Sequence, residues 1–215
     1  MRQPFTLQQG GLNYQFFFAQ PAFGMFSDLP ALLAELFSSL GQHGFKPATV
    51  QFRKASTLGE TNLQCDLPTA TIKVFVDRVD LLTTSGNYRK GLATMTIEAV
   101  SRHVKKLDFS TFAATCHAHG TLSNMLSSAF LGRFVREAPK GQSLIGSAAV
   151  FYYGAQGPSL ASSLTLDLSA QVEGGIFVQT HVVYDATKIA VTELEDTFTS
   201  HVDEVLADLD LEVTP

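Results

Sequence analysis

The sequence predicts an α+β fold, an antiparallel sheet or sheets with long helices packed on one face. Three observations carry this. Short β-rich runs follow one another across turn residues rather than alternating one for one with helices, which argues against a doubly wound parallel sheet. Several longer segments repeat apolar residues at helical spacing. And 215 residues, 45% of them apolar and 16% charged, supply ample core material with no sign of disorder. A single domain spanning residues 1–215 is expected.

The elements follow in order. "LNYQFFFA", Leu12 to Ala19, is apolar and β-rich between Gly10-Gly11 and Pro21, and reads as a strand. "SDLPALLAELFSSLGQHG" reads as a helix: Ser27 or Asp28 caps it, Pro30 sits in its first turn, and Gly41 and Gly44 stop it. Its apolar face is Leu29, Leu32, Leu33, Leu36, Phe37 and Leu40. Strands are expected at "ATVQFR", "TNLQCD", "TATIKVFV" and "DLLTT", with Pro68-Thr69 as a hairpin turn. A long helix is expected from about Asn87 to Lys106, started by Ser85-Gly86-Asn87. Arg102, Lys105 and Lys106 fall in its last turn, where positive charge suits the helix dipole.

"STFAATCHAHGT" alternates with period two. Phe112, Ala114, Cys116 and Ala118 fall on one face, and Thr111, Thr115, His117 and His119 on the other, as in a half-buried strand. A helix is expected from Asn124 to about Glu137, then a strand from Ala148 to Tyr153 between Gly/Ser/Pro-rich loops. "SLTLDLSAQ" and "GIFVQTHVVYD" are strands joined at Glu173-Gly174. The last helix covers about Ala190 to Leu209, with Leu194, Phe198, Val202, Val205 and Leu209 as its seam. The order strand, loop, long helix, Leu-Asp-apolar occurs twice, which divides the chain into pseudo-repeat halves of about 12–109 and 110–212.

Charge narrows the function classes. Between Glu193 and Glu212 stand eight acidic residues and no Lys or Arg, out of 20 acidic and 15 basic residues in all. No basic face large enough for nucleic acid is evident. "FFFA" is far too short to span a membrane, and "MRQPFTLQQGG" lacks the apolar stretch of a secretory signal. A cytoplasmic protein is expected, with Cys65 and Cys116 as unpaired thiols and Cys116 buried.

Little in the chain looks like chemistry. His117 and His119 set two imidazoles on one strand face about 6–7 Å apart along the backbone, a spacing metal sites use. A catalytic metal needs a third ligand, for which His181 is the best candidate and Asp167 a poorer one. The simpler reading, two polar side chains on the wet face of a strand, is preferred. Metal: none, with His117, His119 and His181 as the candidates to watch. Cys116 lacks a base beside it and belongs to the core. Ser143 in "GQSLIG" has the wrong spacing for a nucleophile elbow, and no phosphate-binding glycine loop occurs. Asp77 and Asp80 are ordinary loop carboxylates, and His201 flanks the apolar seam of the last helix. No cofactor is expected.

Two stretches, "VFVDRVDLL…NYRKGLATMTIEAVSRHVKKLDF" and "LTLDLSAQVEGGIFVQTHVVYD…LEDTFTSHVDEVLADLDLEV", cover about half the chain between them. Their succession of sheet, long helix, second strand set and long acidic closing helix resembles the SecB-like superfamily of export chaperones and relatives. The resemblance implies an oligomeric, non-enzymatic protein that binds polypeptides through apolar grooves. The expected function is therefore a protein-binding or assembly module, chaperone-like and homo-oligomeric, meeting a protein partner or itself. The alternatives are a small metal-dependent enzyme using His117 and His119, or a small-molecule-binding protein with an apolar pocket between sheet and helices.

Overall fold

One long strand organises the molecule. In the computed structural model, which describes residues 2–84, 90–104, 107–134 and 148–214, strand β1 (Gln3–Phe18) runs 16 residues, well beyond the ~5–6 typical of globular proteins. After it come α1 (Leu29–Leu40), β2 (Val50–Arg53), β3 (Asn62–Asp66), β4 (Ala70–Val74), β5 (Arg78–Thr84) and α2 (Leu92–His103). The second half contains β6 (Phe109–Leu122), α3 (Ser127–Gly132), β7 (Ala149–Tyr153), β8 (Ser159–Leu168), β9 (Ile176–Asp185), α4 (Val191–Asp208) and β10 (Leu211–Thr214).

The fold is α+β. A ten-stranded sheet runs β2-β3-β4-β5-β1-β6-β9-β8-β7, with β10 alone parallel, against β1. Period-two alternation places Tyr14, Phe16, Phe112, Ala114, Val182 and Tyr184 on one face, where they pack with Leu32, Leu36 and Leu40 of α1, with α2, and with Leu194 and Phe198 of α4. Phe198 meets Tyr14 edge-to-face at 5.9 Å. A smaller cluster joins Phe5, Leu164, Leu166, Ile176 and Val178 to Phe130 and Leu131 of α3 and Leu209. No helix among the described residues is long and apolar enough to cross a membrane.

Local rules explain most boundaries. The Asp28 carboxylate accepts the Ala31 N–H at 3.0 Å and starts α1, with Pro30 in its first turn. Gly44, at φ 87, takes the left-handed conformation after the short turn that ends it. Arg102, in the last turn of α2, is bound by Glu35 of α1 at 2.8 Å.

The structure corrects several expectations. Gly10-Gly11 lies inside β1 rather than before it. A Cβ at Gly11 would stand 2.6 Å from the Thr83 carbonyl, so the glycine marks a close approach of strands, not a turn. Among the described residues α2 begins at Leu92, and the expected starting turn Ser85-Gly86-Asn87, with Lys105 and Lys106, lies outside them. α3 spans only six residues, Ser127–Gly132. β8 begins at Ser159, inside what composition marks as a loop, because the hairpin with β7 pairs that polar segment. β10 has no sequence signal of its own; it forms by pairing Leu211–Thr214 with Gln3–Thr6.

Candidate functional site

The histidines lie where the alternation puts them. On the face of the sheet away from the helices, Thr115 pairs with His181, His117 with Gln179 and His119 with Phe177 across β6 and β9. The His117 and His119 rings are 6.2 Å apart. His119 Nδ1 is 2.9 Å from the Ser169 hydroxyl and its ring lies 4.7 Å from Phe177, while His181 Nδ1 is 2.9 Å from the Thr115 hydroxyl. Burial, and then the neighbouring His117, holds the His119 pKa below the ordinary histidine value; burial alone does so for His181. Both effects favour neutral imidazoles. Among the described residues no group of three or more His, Cys, Asp or Glu side chains is placed to hold a metal ion. Asp167 pairs with Phe177 one strand further out, and its carboxylate accepts the Leu168 N–H at 2.7 Å.

The remaining sequence candidates resolve singly. Cys65 and Cys116 are free thiols. Burial pushes Cys65 up to about 12 and Cys116 up to about 11, so neither is a ready nucleophile. Cys116 is only half-buried, a correction to the expectation that it lies in the core, because it faces a cavity. Asp77 and Asp80 flank Arg78, which bonds both. Ser143 lies outside the described residues.

The side of the molecule between α4 and the β7–β8 hairpin holds a broad recess. Two depressions, of about 430 and 400 Å³, share Gln156, Ser162, His201 and Glu204 and so form one trough. Its far wall is aromatic, with Phe134, Phe151 and Tyr153; its near wall is acidic, with Glu204 and Asp208 of α4. Neither carboxylate makes an ion pair with a described residue. At the other end the hydroxyls of Tyr184 and Ser159 are buried with no hydrogen-bond partner. Burial raises the Tyr184 phenol to about 12, so it remains a donor throughout the physiological range.

Sequence reasoning located the acidic helix but not this trough. Not all the acids of α4 are solvated. Glu195 is buried and accepts the Gly91 and Ala93 N–H groups at 2.6 and 3.1 Å, capping α2, and Asp196 pairs with Lys90 at 2.6 Å. The run of acids on α4 therefore serves two ends, one tying α2 and one lining the trough. A scan against protein-family models finds no match for this chain, and a search of curated protein sequences finds none.

Proposed function

We propose that the protein is a non-enzymatic, chaperone-like protein-binding module, whose trough between α4 and the β7–β8 hairpin takes a lysine- or arginine-bearing segment of a partner. The observation that carries this is the pairing of an aromatic wall with unpaired carboxylates. Such a wall suits the methylene stem and charged end of a basic side chain. The molecule already holds one guanidinium this way. Arg133 lies 5.5 and 5.7 Å from the Phe130 and Phe134 rings and pairs with Asp210 at 3.1 Å. The buried Tyr184 and Ser159 hydroxyls add donors for a partner's backbone carbonyls. The resemblance to the SecB-like superfamily supports the same class, and the free thiols suit a cytoplasmic setting.

The test uses fluorescein-labelled decapeptides in which Arg alternates with Leu, against a Glu/Leu control. The Arg peptide binds, and Glu204→Lys with Asp208→Lys weakens it at least tenfold, whereas Glu98→Lys on α2 does not. Equal binding of both peptides, or indifference to the trough variants, refutes the reading.

Self-association has its own support in β7. Among the described residues it is the last strand on its flank of the sheet, and Val150, Tyr152 and Tyr153 are 47%, 83% and 49% exposed. Exposed apolar edges pair readily with a second copy. In that case the wild type has at least a dimer's mass in solution and Tyr152→Lys a monomer's; a monomeric wild type excludes it.

A further inference from the structure

The connection between β8 and β9 is held to the sheet through one hydroxyl. Beyond Leu168 the chain turns through residues 169–175, where the Ser169 N–H bonds the Gly175 carbonyl and the Gly175 N–H the Val172 carbonyl, both at 3.0 Å. Inside the turn Ser169 Oγ accepts the N–H groups of Gln171 and Val172 at 3.1 and 2.8 Å. A serine shapes a turn of its own in this way. The turn lies close on β6: a Cβ at Gly175 would stand 2.6 Å from the Gly120 carbonyl, so the approach requires glycine. From its other side the Ser127 hydroxyl, at the start of α3, donates to the Gly174 carbonyl at 2.5 Å. One turn therefore also fixes the entry to α3.

The bonding of Ser169 dictates the protonation of His119. A hydroxyl has one hydrogen and two lone pairs. The Gln171 and Val172 amides take both lone pairs, so the hydrogen goes to His119 Nδ1, 2.9 Å away. Nδ1 is thus the bare nitrogen of a neutral ring, and Nε2 carries the proton. An imidazolium would aim a third donor at an oxygen with no lone pair left. The ring is 7% exposed and packed 4.7 Å from Phe177, which leaves it little room to turn aside.

Its surroundings supply no counter-charge. On the same strand His117 stands 6.2 Å away, where it opposes a second positive charge. Gln9 of β1 and Phe177 of β9, which pair with His119, are uncharged. Asp167 of β8, beyond Phe177, accepts the Leu168 N–H at 2.7 Å, and Glu173 of the turn is exposed. Among the described residues no carboxylate bonds the ring.

We propose that His119 and Ser169 form an acid-sensitive latch: a proton taken up at His119 Nδ1 makes the Ser169 oxygen give up an amide of the turn, which releases residues 169–172 and the hold on α3 through Gly174 and Ser127. At neutral pH the latch is shut. On acidification through the histidine range the turn and the start of α3 loosen while the sheet stays folded. The latch works in this way whatever the trough binds.

The test is amide hydrogen exchange of the full chain, read by NMR at pH 7.5 and pH 5.0 and corrected for intrinsic rates. Protection of the Val172 amide falls at least tenfold on acidification, and that of Phe16, at the centre of the sheet, less than twofold. His119→Asn, which sets a non-titrating oxygen where Nδ1 stood, holds Val172 protection within twofold over the same range. Ser169→Ala lowers it at least tenfold already at pH 7.5, and acid adds nothing further. The nitrogen shifts of the wild-type imidazole, a readout that needs no variant, show the Nε2–H tautomer at pH 8. Unchanged Val172 protection at pH 5.0, an equal fall in His119→Asn, or the Nδ1–H tautomer at pH 8 overturns the proposal.

Discussion

From β1 to α2 the chain lays down a long strand, a helix, a set of antiparallel strands and a second helix, and from β6 to α4 it follows the same path. β1 and β6 lie side by side at the centre, so the strands run outward as β5-β4-β3-β2 on one flank and β9-β8-β7 on the other. The first flank is roofed by α1, whose 12 residues bury Leu32, Leu36 and Leu40 completely and which is tied to α2 through Arg102 and Glu35. In the equivalent place the second flank has α3, six residues long, which supplies Phe130 and Leu131 and leaves the inner side of β7 and β8 to form the trough. Among the described residues, equivalent paths thus give one sealed flank and one open flank. The length of a single helix separates a surface that stabilises from a surface that can receive a ligand.

The largest expected effects bear directly on that contrast. Phe198→Ala, at the seam shared by both flanks, costs ~3–5 kcal/mol and Leu36→Ala under the α1 roof ~2–5 kcal/mol, while Tyr153→Ala on the trough wall costs less than ~1 kcal/mol. Urea denaturation measures all three, and comparable losses at Leu36 and Tyr153 break the comparison. Next in size is Glu195→Gln. It replaces a buried carboxylate that holds two α2 amides, and costs ~1.5–3 kcal/mol by the same measurement. A loss below about 0.5 kcal/mol would show that the roof of the first flank does not depend on α4.

A smaller effect depends on pH. The folded-state pKa of His119 lies below its unfolded value of about 6.5, so on acidification the unfolded chain takes up a proton before the fold does. This group's contribution is intact at pH 7, falls as pH drops below ~6.5 and is fully lost below the folded-state value. Burial raises the Asp80 pKa, which works in the opposite sense, so the informative quantity is the difference between wild type and His119→Gln. That difference changes between pH 7 and pH 5; a flat difference contradicts the assignment. Smallest of all, Asp203→Lys together with Glu204→Lys shifts stability by no more than about 0.5 kcal/mol, since both side chains are exposed. A larger loss would mean that the open flank is closed by contacts these acids make.

The fold was legible wherever periodicity carried it. The alternation of "STFAATCHAHGT" assigned faces to Cys116, His117 and His119 correctly, and the four-and-three spacing of Leu194, Phe198, Val202 and Val205 located the seam of α4. What failed were features set by distant partners. Gly10-Gly11 looks like a turn until Thr83 and His117 are brought against it. β10 is four residues with no pattern of its own, paired to residues some 200 positions away. Glu195 reads as one more solvated acid on a charged helix, and only the packing of α4 beside α2 turns it into a buried cap. The trough was illegible for a related reason. It arises where a helix stops short, and sequence marks what a segment prefers better than how closely two segments meet.

The pairing of β1 with β10 also has a consequence in time. β1 is made before its partners: one of its edges is completed by β6, about a hundred residues later, and the start of the other by β10, about two hundred residues later. At ~5–20 residues per second, β1 waits roughly 10–40 s for its last partner during synthesis. "YQFFFA" itself is unpaired only until β5 and β6 follow, about 65 and about 100 residues later, and loop closure over so many residues is intrinsically slow. The nascent chain is thus most prone to aggregate through the segment that ends at the centre of the finished sheet, and slowing translation lengthens that exposure.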